Sequence, residues 1–496
     1  KRVRFNTSFS THTALVSHSE QDTTAAAYRS LPMSFNLSEK NLERIQEHVL
    51  HKREEALLNE VNEMHPADIA DLLDRLDLDE ARYLHSLLDG EVAAEVINEL
   101  PEDRREDLLE DFSAKEIAEE VIEQLDSDDA ADVIAELPED VQQEVLANID
   151  DSELKSEITE LLSYDENTAG GLMAKELVKV NVGASMLDCV RELREHADDI
   201  EHVYVINVVD DHGKLVGTIP LKKLITTSLR TPVKDVYDPD AITVKADMDK
   251  EEVSRIMAKY DLPVVPVVDD RGRLVGRITI DDVVDVMREE ETEDVQKMGG
   301  MEALEYSYSN SSLWEMVKKR AGWLVILLIG EGFTATAMSY FEDEIAKAVV
   351  LALFVPMIIS SGGNTGSQAS SLICRALAVG DVTTKEWWRI VKRETSVGLT
   401  LGIVLGVVGF LRVAIYAQFT SLYGPHWVPI GLAIGFSLLG VVLWGNLIGS
   451  SFPLLLKRVG MDPAVSSAPF VATVVDITGL VIYFTIASLF LAGILL

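Results

Sequence analysis

The chain changes character at one point, and that change limits what it can fold into. Of its 83 acidic residues, 73 precede Leu313 and 10 follow it; of its 44 basic residues, 32 precede and 12 follow. The first part carries a formal −41 and the second +2. The second part holds five apolar stretches, residues 323–340, 345–374, 395–417, 428–456 and 469–496, the second of them long and interrupted. A bilayer span needs about 20 mostly apolar residues. The pattern predicts five membrane helices joined to an acidic soluble region.

Loop charges orient the spans. Lys318, Lys319 and Arg320 precede the first; Arg375, Lys385, Arg389, Lys392 and Arg393 lie between the second and third; Lys457 and Arg458 lie between the fourth and fifth. The alternate loops, 341–344 and 418–427, carry no Lys or Arg. Basic loops stay on the cytoplasmic side. The expected product is a multi-pass cell-membrane protein with a cytoplasmic acidic region and an external C-terminus. Glu342, Asp343 and Glu344 then sit at the outer mouth, either gathering cations or forming a solvated turn.

Asp476 stands inside the last apolar stretch. A carboxylate at membrane depth is costly and normally faces a protein interior or a water-filled path, where hard oxygen ligands suit a hard cation. Pro469 and Asp476 are seven residues apart, two helical turns along one face, and Thr473 is one turn from Pro469. The run Gly362-Gly-Asn-Thr-Gly-Ser-Gln368 has two readings. It is irregular backbone lining a cavity, with freed carbonyls and the Asn364 amide offered to a cation, or it is a Gly-rich helix-packing face. Gly362, Gly363 and Thr473 are candidates for a second layer of the path. Glu331 and Arg412 also fall within or near apolar stretches; Glu331 lines the path, snorkels or pairs with a neighbour.

The soluble region divides again. Residues 38–162 show helical periodicity with recurring segments, and Leu-Pro-Glu-Asp occurs at 100–103 and at 137–140. This predicts an all-α superhelical domain over 33–164. Then Tyr204-Val-Ile-Asn-Val-Val and Asp210-Asp-His-Gly-Lys-Leu-Val-Gly read as strand, turn, strand. They recur as Pro263-Val-Val-Pro-Val-Val and Asp269-Asp-Arg-Gly-Arg-Leu-Val-Gly, 59 residues on. The duplicated unit resembles a pair of cystathionine-β-synthase (CBS) domains, 165–229 and 230–291, a ligand-sensing α/β module that often takes adenine nucleotides. A charged connecting helix, 292–320, leads to the all-α transmembrane domain, 321–496. Residues 1–32, rich in Ser, Thr and Asn, read as a disordered or foreign leader, with Met33 as the natural start.

With these domains in this order, and with Gly-Gly-Asn-Thr-Gly-Ser-Gln at 362–368 and Asp462-Pro-Ala-Val-Ser-Ser-Ala-Pro469 leading to Asp476, the chain resembles the MgtE family of magnesium channels. The resemblance implies a homodimer with one shared pore and cytosolic domains that bind Mg²⁺ and close it. It implies that Asp476 holds the hydrated ion, with Asn364 and the Ala472 backbone beside it. It implies regulatory Mg²⁺ ligands at Asp249, Glu251, Asp261, Asp282, Asp285, Glu290, Glu293 and Asp294, and at Asp128 and Asp132 of the helical domain. The connecting helix corresponds to the family's plug. Glu331, and Ser367 where Asn is common, depart from the family pattern. An adenine nucleotide such as ATP is the cofactor the CBS pair allows.

Two rival readings remain at this level: a carrier for Mg²⁺, Co²⁺ or Mn²⁺, and a membrane-tethered nucleotide sensor whose spans only anchor it. Nucleic acid is excluded as a partner, because phosphate binding needs a basic surface. Two cysteines build neither a disulfide framework nor a zinc site. No phosphate-binding loop or nucleophile–base pair marks an enzyme.

Overall fold

The computed structural model describes residues 39–62, 64–197, 200, 202–304, 308 and 311–494. The leader expected over 1–32 lies outside them. The chain forms two compact units, divided between Thr159 and Glu160.

The first unit is built of short helices, from Glu39–Leu50 to Glu139–Asn148. Both Leu-Pro-Glu-Asp repeats act as helix starts: Pro101 precedes Glu102–Leu109, and Pro138 precedes Glu139–Asn148. Proline cannot donate a backbone hydrogen bond, so it is best accommodated where a helix begins. Apolar faces, including Ile45, Leu57, Leu72, Leu84 and Val96, close into one core. Buried Arg105 ties the repeats together. It donates to the carbonyls of Asn98 and Leu100 and to both oxygens of Glu136, at 3.0 and 3.2 Å.

The second unit opens with the two α/β modules. In the first, β1 (Lys179–Asn181), α1 (Met186–Glu195), β2 (Val205–Val209), β3 (Leu215–Pro220) and α2 (Leu221–Thr226) form a three-stranded sheet with flanking helices. β1 runs parallel to β2, and β2 antiparallel to β3. The second repeats this plan with β4 (Val244–Lys245), α3 (Lys250–Tyr260), β5 (Val264–Val268), β6 (Leu274–Thr279) and α4 (Ile280–Met298). Each hairpin turn is fixed by an aspartate accepting backbone N–H groups, Asp210 from His212 and Lys214, Asp269 from Arg271 and Arg273. The glycines that follow, Gly213 and Gly272, take φ near +75°, a region open to glycine. The two turns then exchange hydrogen bonds, Leu215 N–H to the Gly272 carbonyl and Leu274 N–H to that of Gly213.

α4 runs on beyond the module but does not reach the membrane. The single connecting helix expected over 292–320 is broken at Gly299-Gly300. Gly300 takes φ +77°, and a side chain there would collide with Trp323 and come within 3.2 Å of Pro469. Two adjacent glycines also weaken a helix by roughly 1 kcal/mol each relative to alanine. Another helix starts at Leu313, where the Ser312 hydroxyl accepts the Glu315 N–H.

Five helices are long and apolar enough to cross a membrane: α5 (Leu313–Tyr340), α6 (Val355–Ala378), α7 (Trp387–Phe419), α8 (Trp427–Arg458) and α9 (Ala468–Leu491). The chain is a multi-pass membrane protein. α8 is central and packs on α6, α7 and α9. α5 packs on α9, and only 6% of its most apolar window is buried, against 50% for α8. The interruption expected in the second stretch lies before Pro356, as a short helix Glu342–Lys347 and a 3-10 turn Val349–Phe354. The buried Tyr483 hydroxyl donates to the Leu351 carbonyl at 2.8 Å and fixes that turn to α9.

The run Gly362–Gln368 is continuous α-helix, so the cavity-lining irregular backbone is not found. Its glycines serve contact instead. A Cβ on Gly449 would lie 2.0 Å from the Gly366 carbonyl oxygen, and one on Gly445 would lie 2.4 Å from that of Gly362. Two small residues four apart on each helix let the α6 and α8 backbones touch, as membrane helix pairs without a hydrophobic driving force require.

Candidate functional site

The α6–α9 crossing brings together most of the expected path. Gly363 faces α9: a Cβ there would sit 3.4 Å from Ala472 Cβ and 3.5 Å from Asp476 Oδ1. Ala472 is one turn before Asp476, and neighbouring Gly362 packs on Val475 and Val441. Asp476 is partly exposed and makes no hydrogen bond or ion pair to another described residue. Asn364 is exposed beside it on α6, in line with Ser360 and Gln368 at four-residue spacing. Its amide donates to the Ser360 hydroxyl at 3.4 Å. The α6–α9 pair thus carries a polar edge, with the Asp476 carboxylate and the Asn364 amide on otherwise apolar helices.

Thr473 points elsewhere. Its hydroxyl donates to the Pro469 carbonyl at 3.1 Å, and Gly330 of α5 packs on its methyl. Glu331 is next to that contact, exposed, and close enough to Asp476 for the two charges to repel.

The start of α9 is strapped to α6. The hydroxyl of Ser367 donates to the Ala468 carbonyl, that of Ser370 to the Ser466 carbonyl, and the Cys374 thiol to that of Pro463. Asp462 caps the 3-10 turn Pro463–Val465 by accepting the Ala464 N–H at 2.8 Å. Trp323 of α5 donates to Ser467, which caps α9. The α6 side chains thus hold carbonyls of the 463–468 segment, and Ser467 caps α9 by accepting the Phe470 N–H.

A second acidic site sits where α4 meets this strap. Glu251 of α3, Glu290, Glu293 and Asp294 of α4, and Asp462 converge around Lys297. Lys297 reaches Asp462 at 2.8 Å and also pairs with Glu293. Burial alone would lower its ammonium, but the hydrogen bonds to Asp462 and Glu293 outweigh that and hold it above its ordinary value. Burial, then the Glu251 and Glu293 charges, lift the Glu290 carboxyl above the usual range. Burial, then Asp462 and Glu251, do the same for Asp294. Five acids around two ammonium groups, Lys297 and Lys250, leave an excess of negative charge, which is the condition a divalent cation relieves. Arg375, at the end of α6, adds a further link to Glu291 at 3.4 Å.

Asp249 caps α3, accepting the Glu251 and Glu252 N–H groups. Asp282 closes a capping box with Thr279, whose N–H and hydroxyl donate to it at 3.0 and 2.8 Å. Asp261 ends α3 in the left-handed region, φ 52°. Asp285 pairs with Arg288 at 3.2 Å on an exposed face. Asp128 and Asp132 are one turn apart on the helix Ser127–Glu136 of the first unit. Sequence reasoning missed Asp462 and Lys297 as members of the cluster; the 165 residues between them leave no local signal.

Between the two α/β modules, Tyr204, Asn207, Val264 and Arg277 line a cleft. Arg277 donates to the His202 carbonyl at 2.8 Å. The buried Asn207 Oδ1 and Arg277 Nε have no partner among the described residues, an arrangement able to take a polar ligand.

Comparison with known proteins follows this division. Residues 355–486 match the MgtE family model, described as a divalent cation transporter. Residues 64–167 match the MgtE intracellular N domain, and 169–230 and 233–289 each match the CBS domain. The chain is 37% identical over 462 residues to the magnesium transporter MgtE of Thermus thermophilus, covering 92% of this chain and 100% of that one. It is 33% identical to the magnesium transporter MgtE of Enterococcus faecalis over 66% of this chain and 70% of the relative. The crystal structure of the cytosolic domain of the Mg²⁺ channel MgtE in complex with ATP aligns at TM-score 0.44 and 37% identity, over 49% of this chain and 97% of that one.

Proposed function

Because the chain belongs to the MgtE family of divalent cation transporters, we propose that it is a Mg²⁺ channel closed by cytoplasmic Mg²⁺. The observation that carries this is Asp476: a carboxylate without a hydrogen-bond or ion-pair partner among the described residues, on an apolar helix, facing a glycine. An anchor for a nucleotide sensor has no use for it. Two copies of the chain form the pore, each giving one Asp476, with Asn364 and the Ala472 backbone beside it and Gly362, Gly363 and Thr473 shaping the helices behind. Mg²⁺ gives up water reluctantly and prefers octahedral oxygen coordination, so two facing carboxylates grip the hydrated ion without stripping it. The exposed apolar face of α5 is available to lipid or to the second copy.

Closure acts through α4. The basic loops flank the strap that α4 touches, which supports a reading with the acidic region in the cytoplasm and the C-terminus outside. Mg²⁺ joins Lys297 in neutralising Glu251, Glu290, Glu293, Asp294 and Asp462, and so holds α4 against the start of α9. Asp249, Asp261, Asp282, Asp285, Asp128 and Asp132 supply further acidic faces for shared ions. Moving such an equilibrium from 1:99 to 99:1 takes about 5.5 kcal/mol of differential binding, within reach of several weak sites. The CBS cleft takes an adenine nucleotide, with the Tyr204 ring, the Asn207 amide and the Arg277 guanidinium as its contacts.

Single-channel recording of the purified full chain tests this reading. Currents are expected at low Mg²⁺ on the CBS side and closure at roughly millimolar Mg²⁺ and above, in the range of weak sites. The combined variant Glu251→Gln, Glu290→Gln, Glu293→Gln and Asp294→Asn is expected to conduct and stay open. Flux without unitary currents indicates a carrier; a variant that still shuts removes the cluster from gating.

The same cluster sets a pH dependence. The carboxyls of Glu290 and Asp294 lie above their ordinary range in the docked arrangement. Without Mg²⁺, docking is therefore favoured at acid pH and weakens as pH rises through the raised values. Protons on these two groups then do part of the neutralising that Mg²⁺ does, so the Mg²⁺ concentration for half-closure is expected to fall on acidification. Half-closure that is flat with pH below neutrality would remove these two groups from the response.

A further inference from the structure

We propose that the end of α7 nearest the CBS pair binds the phosphate headgroup of an anionic phospholipid, held by Lys385, Lys392 and Arg393 around Trp388. α7 has 33 residues, about 50 Å at 1.5 Å per residue, whereas the hydrocarbon core is about 30 Å thick. Its first turns therefore stand at headgroup level. Its exposed apolar stripe on the Trp388 side begins at Leu399 and continues through Ile403 and Val407. Three turns before that stripe, the Trp388 side chain is 80% exposed, while Trp387 packs inward with Ile390 and Leu454. An exposed indole continuous with a lipid-facing stripe belongs at the membrane–water boundary.

Charge selects the headgroup. Lys385, Trp388 and Lys392 follow at spacings of three and four, exposed on one side, with Arg393 adjoining. Two of the three local acids are otherwise engaged: Glu386 pairs with Arg389 at 2.7 Å, and Glu394 accepts the Asn446 amide at 2.9 Å, while Asp381 is exposed in the loop before the helix. Lys385, Lys392 and Arg393 have no ion pair with any described residue. Lys457 and Arg458 end α8 at the same level, since Leu454 of α8 touches Ile390. An acidic protein face has the same charge, but not the adjoining apolar stripe. The inference needs only that α7 spans a bilayer, and stands whether or not Asp476 conducts.

The test uses the full chain in a neutral detergent, titrated with brominated phosphatidylglycerol or brominated phosphatidylcholine. The Trp388→Phe variant, run in parallel, separates the quenching of Trp388 from that of the other five tryptophans. Half-quenching of Trp388 is expected at a phosphatidylglycerol fraction at least about threefold lower than for phosphatidylcholine, well within what three near-surface cations supply. The preference should fall to about one in the triple variant Lys385→Gln, Lys392→Gln, Arg393→Gln. It should also vanish for the unaltered chain in 1 M salt, where the screening length is about 3 Å. Equal quenching by the two lipids, a preference that survives both treatments, or a Trp388 that neither lipid reaches because protein covers it, would each overturn the proposal.

Discussion

Asp476→Ala is expected to reduce Mg²⁺ flux at least about a hundredfold while leaving the chain folded. A hydrogen bond to a charged group contributes about 1.5–3 kcal/mol, and in a symmetric pair one substitution removes both carboxylates. Asp476→Asn keeps the shape but loses the charge, and should fall nearly as far. Asp476→Glu keeps the charge on a longer stem and should retain part of the flux. Stability should move the other way. A carboxylate at membrane depth without an internal partner is a liability in the folded state, so the alanine variant should melt at the same temperature as the parent or higher. Flux into vesicles with matched protein content, together with thermal melting in detergent, checks both halves. An Asp476→Ala protein that transports normally would end the pore assignment. One that fails to transport because it no longer folds would make Asp476 a packing residue.

Much of this was legible in the sequence because burial and charge follow local patterns. The five apolar stretches became the five long helices, although α7 begins at Trp387 where hydropathy pointed to 395. Its first turns are polar because they stand in the headgroup region, and backbone hydrogen bonds continue there regardless of hydropathy. The duplicated strand–turn–strand unit was visible because each hairpin needs Asp and Gly at fixed places. The Gly-Gly-Asn-Thr-Gly run divided into two readings because glycine weakens an isolated helix yet permits contact between two. Which effect dominates depends on what lies opposite, and Gly445 and Gly449 are more than 80 residues away. The capping role of Asp282 had a local signal in Thr279-x-x-Asp282, a capping-box pattern, obscured by the acids around it. The Lys297–Asp462 pair had none: it exists only because Gly300 turns the chain back onto the start of α9.

Gly449→Ala is the complementary experiment, expected to disrupt the scaffold and leave the chemistry of the path untouched. Its Cβ would stand 2.0 Å from the Gly366 carbonyl oxygen and 2.9 Å from Gly366 Cα. These are backbone atoms of a helix, so no rotamer change relieves the overlap, and α6 must move away from α8. Overpacking costs about 1–3 kcal/mol where side chains can adjust; here the upper end or more is expected, a loss of several degrees in melting temperature. The displacement also reaches function. α6 carries Gly363 and Asn364, and Gly363 sits against Ala472 and Asp476 with no slack for a shift of about an ångström. Transport should therefore fall even in the fraction that remains folded. Gly332→Ala on α5 is the control: nothing in the chain lies within 4 Å of its Cβ position, and alanine is the better helix former by roughly 1 kcal/mol. If Gly449→Ala melts and transports like the Gly332→Ala control, then α6 and α8 do not meet through these glycines, and the geometry that holds Gly363 against Asp476 fails with that contact.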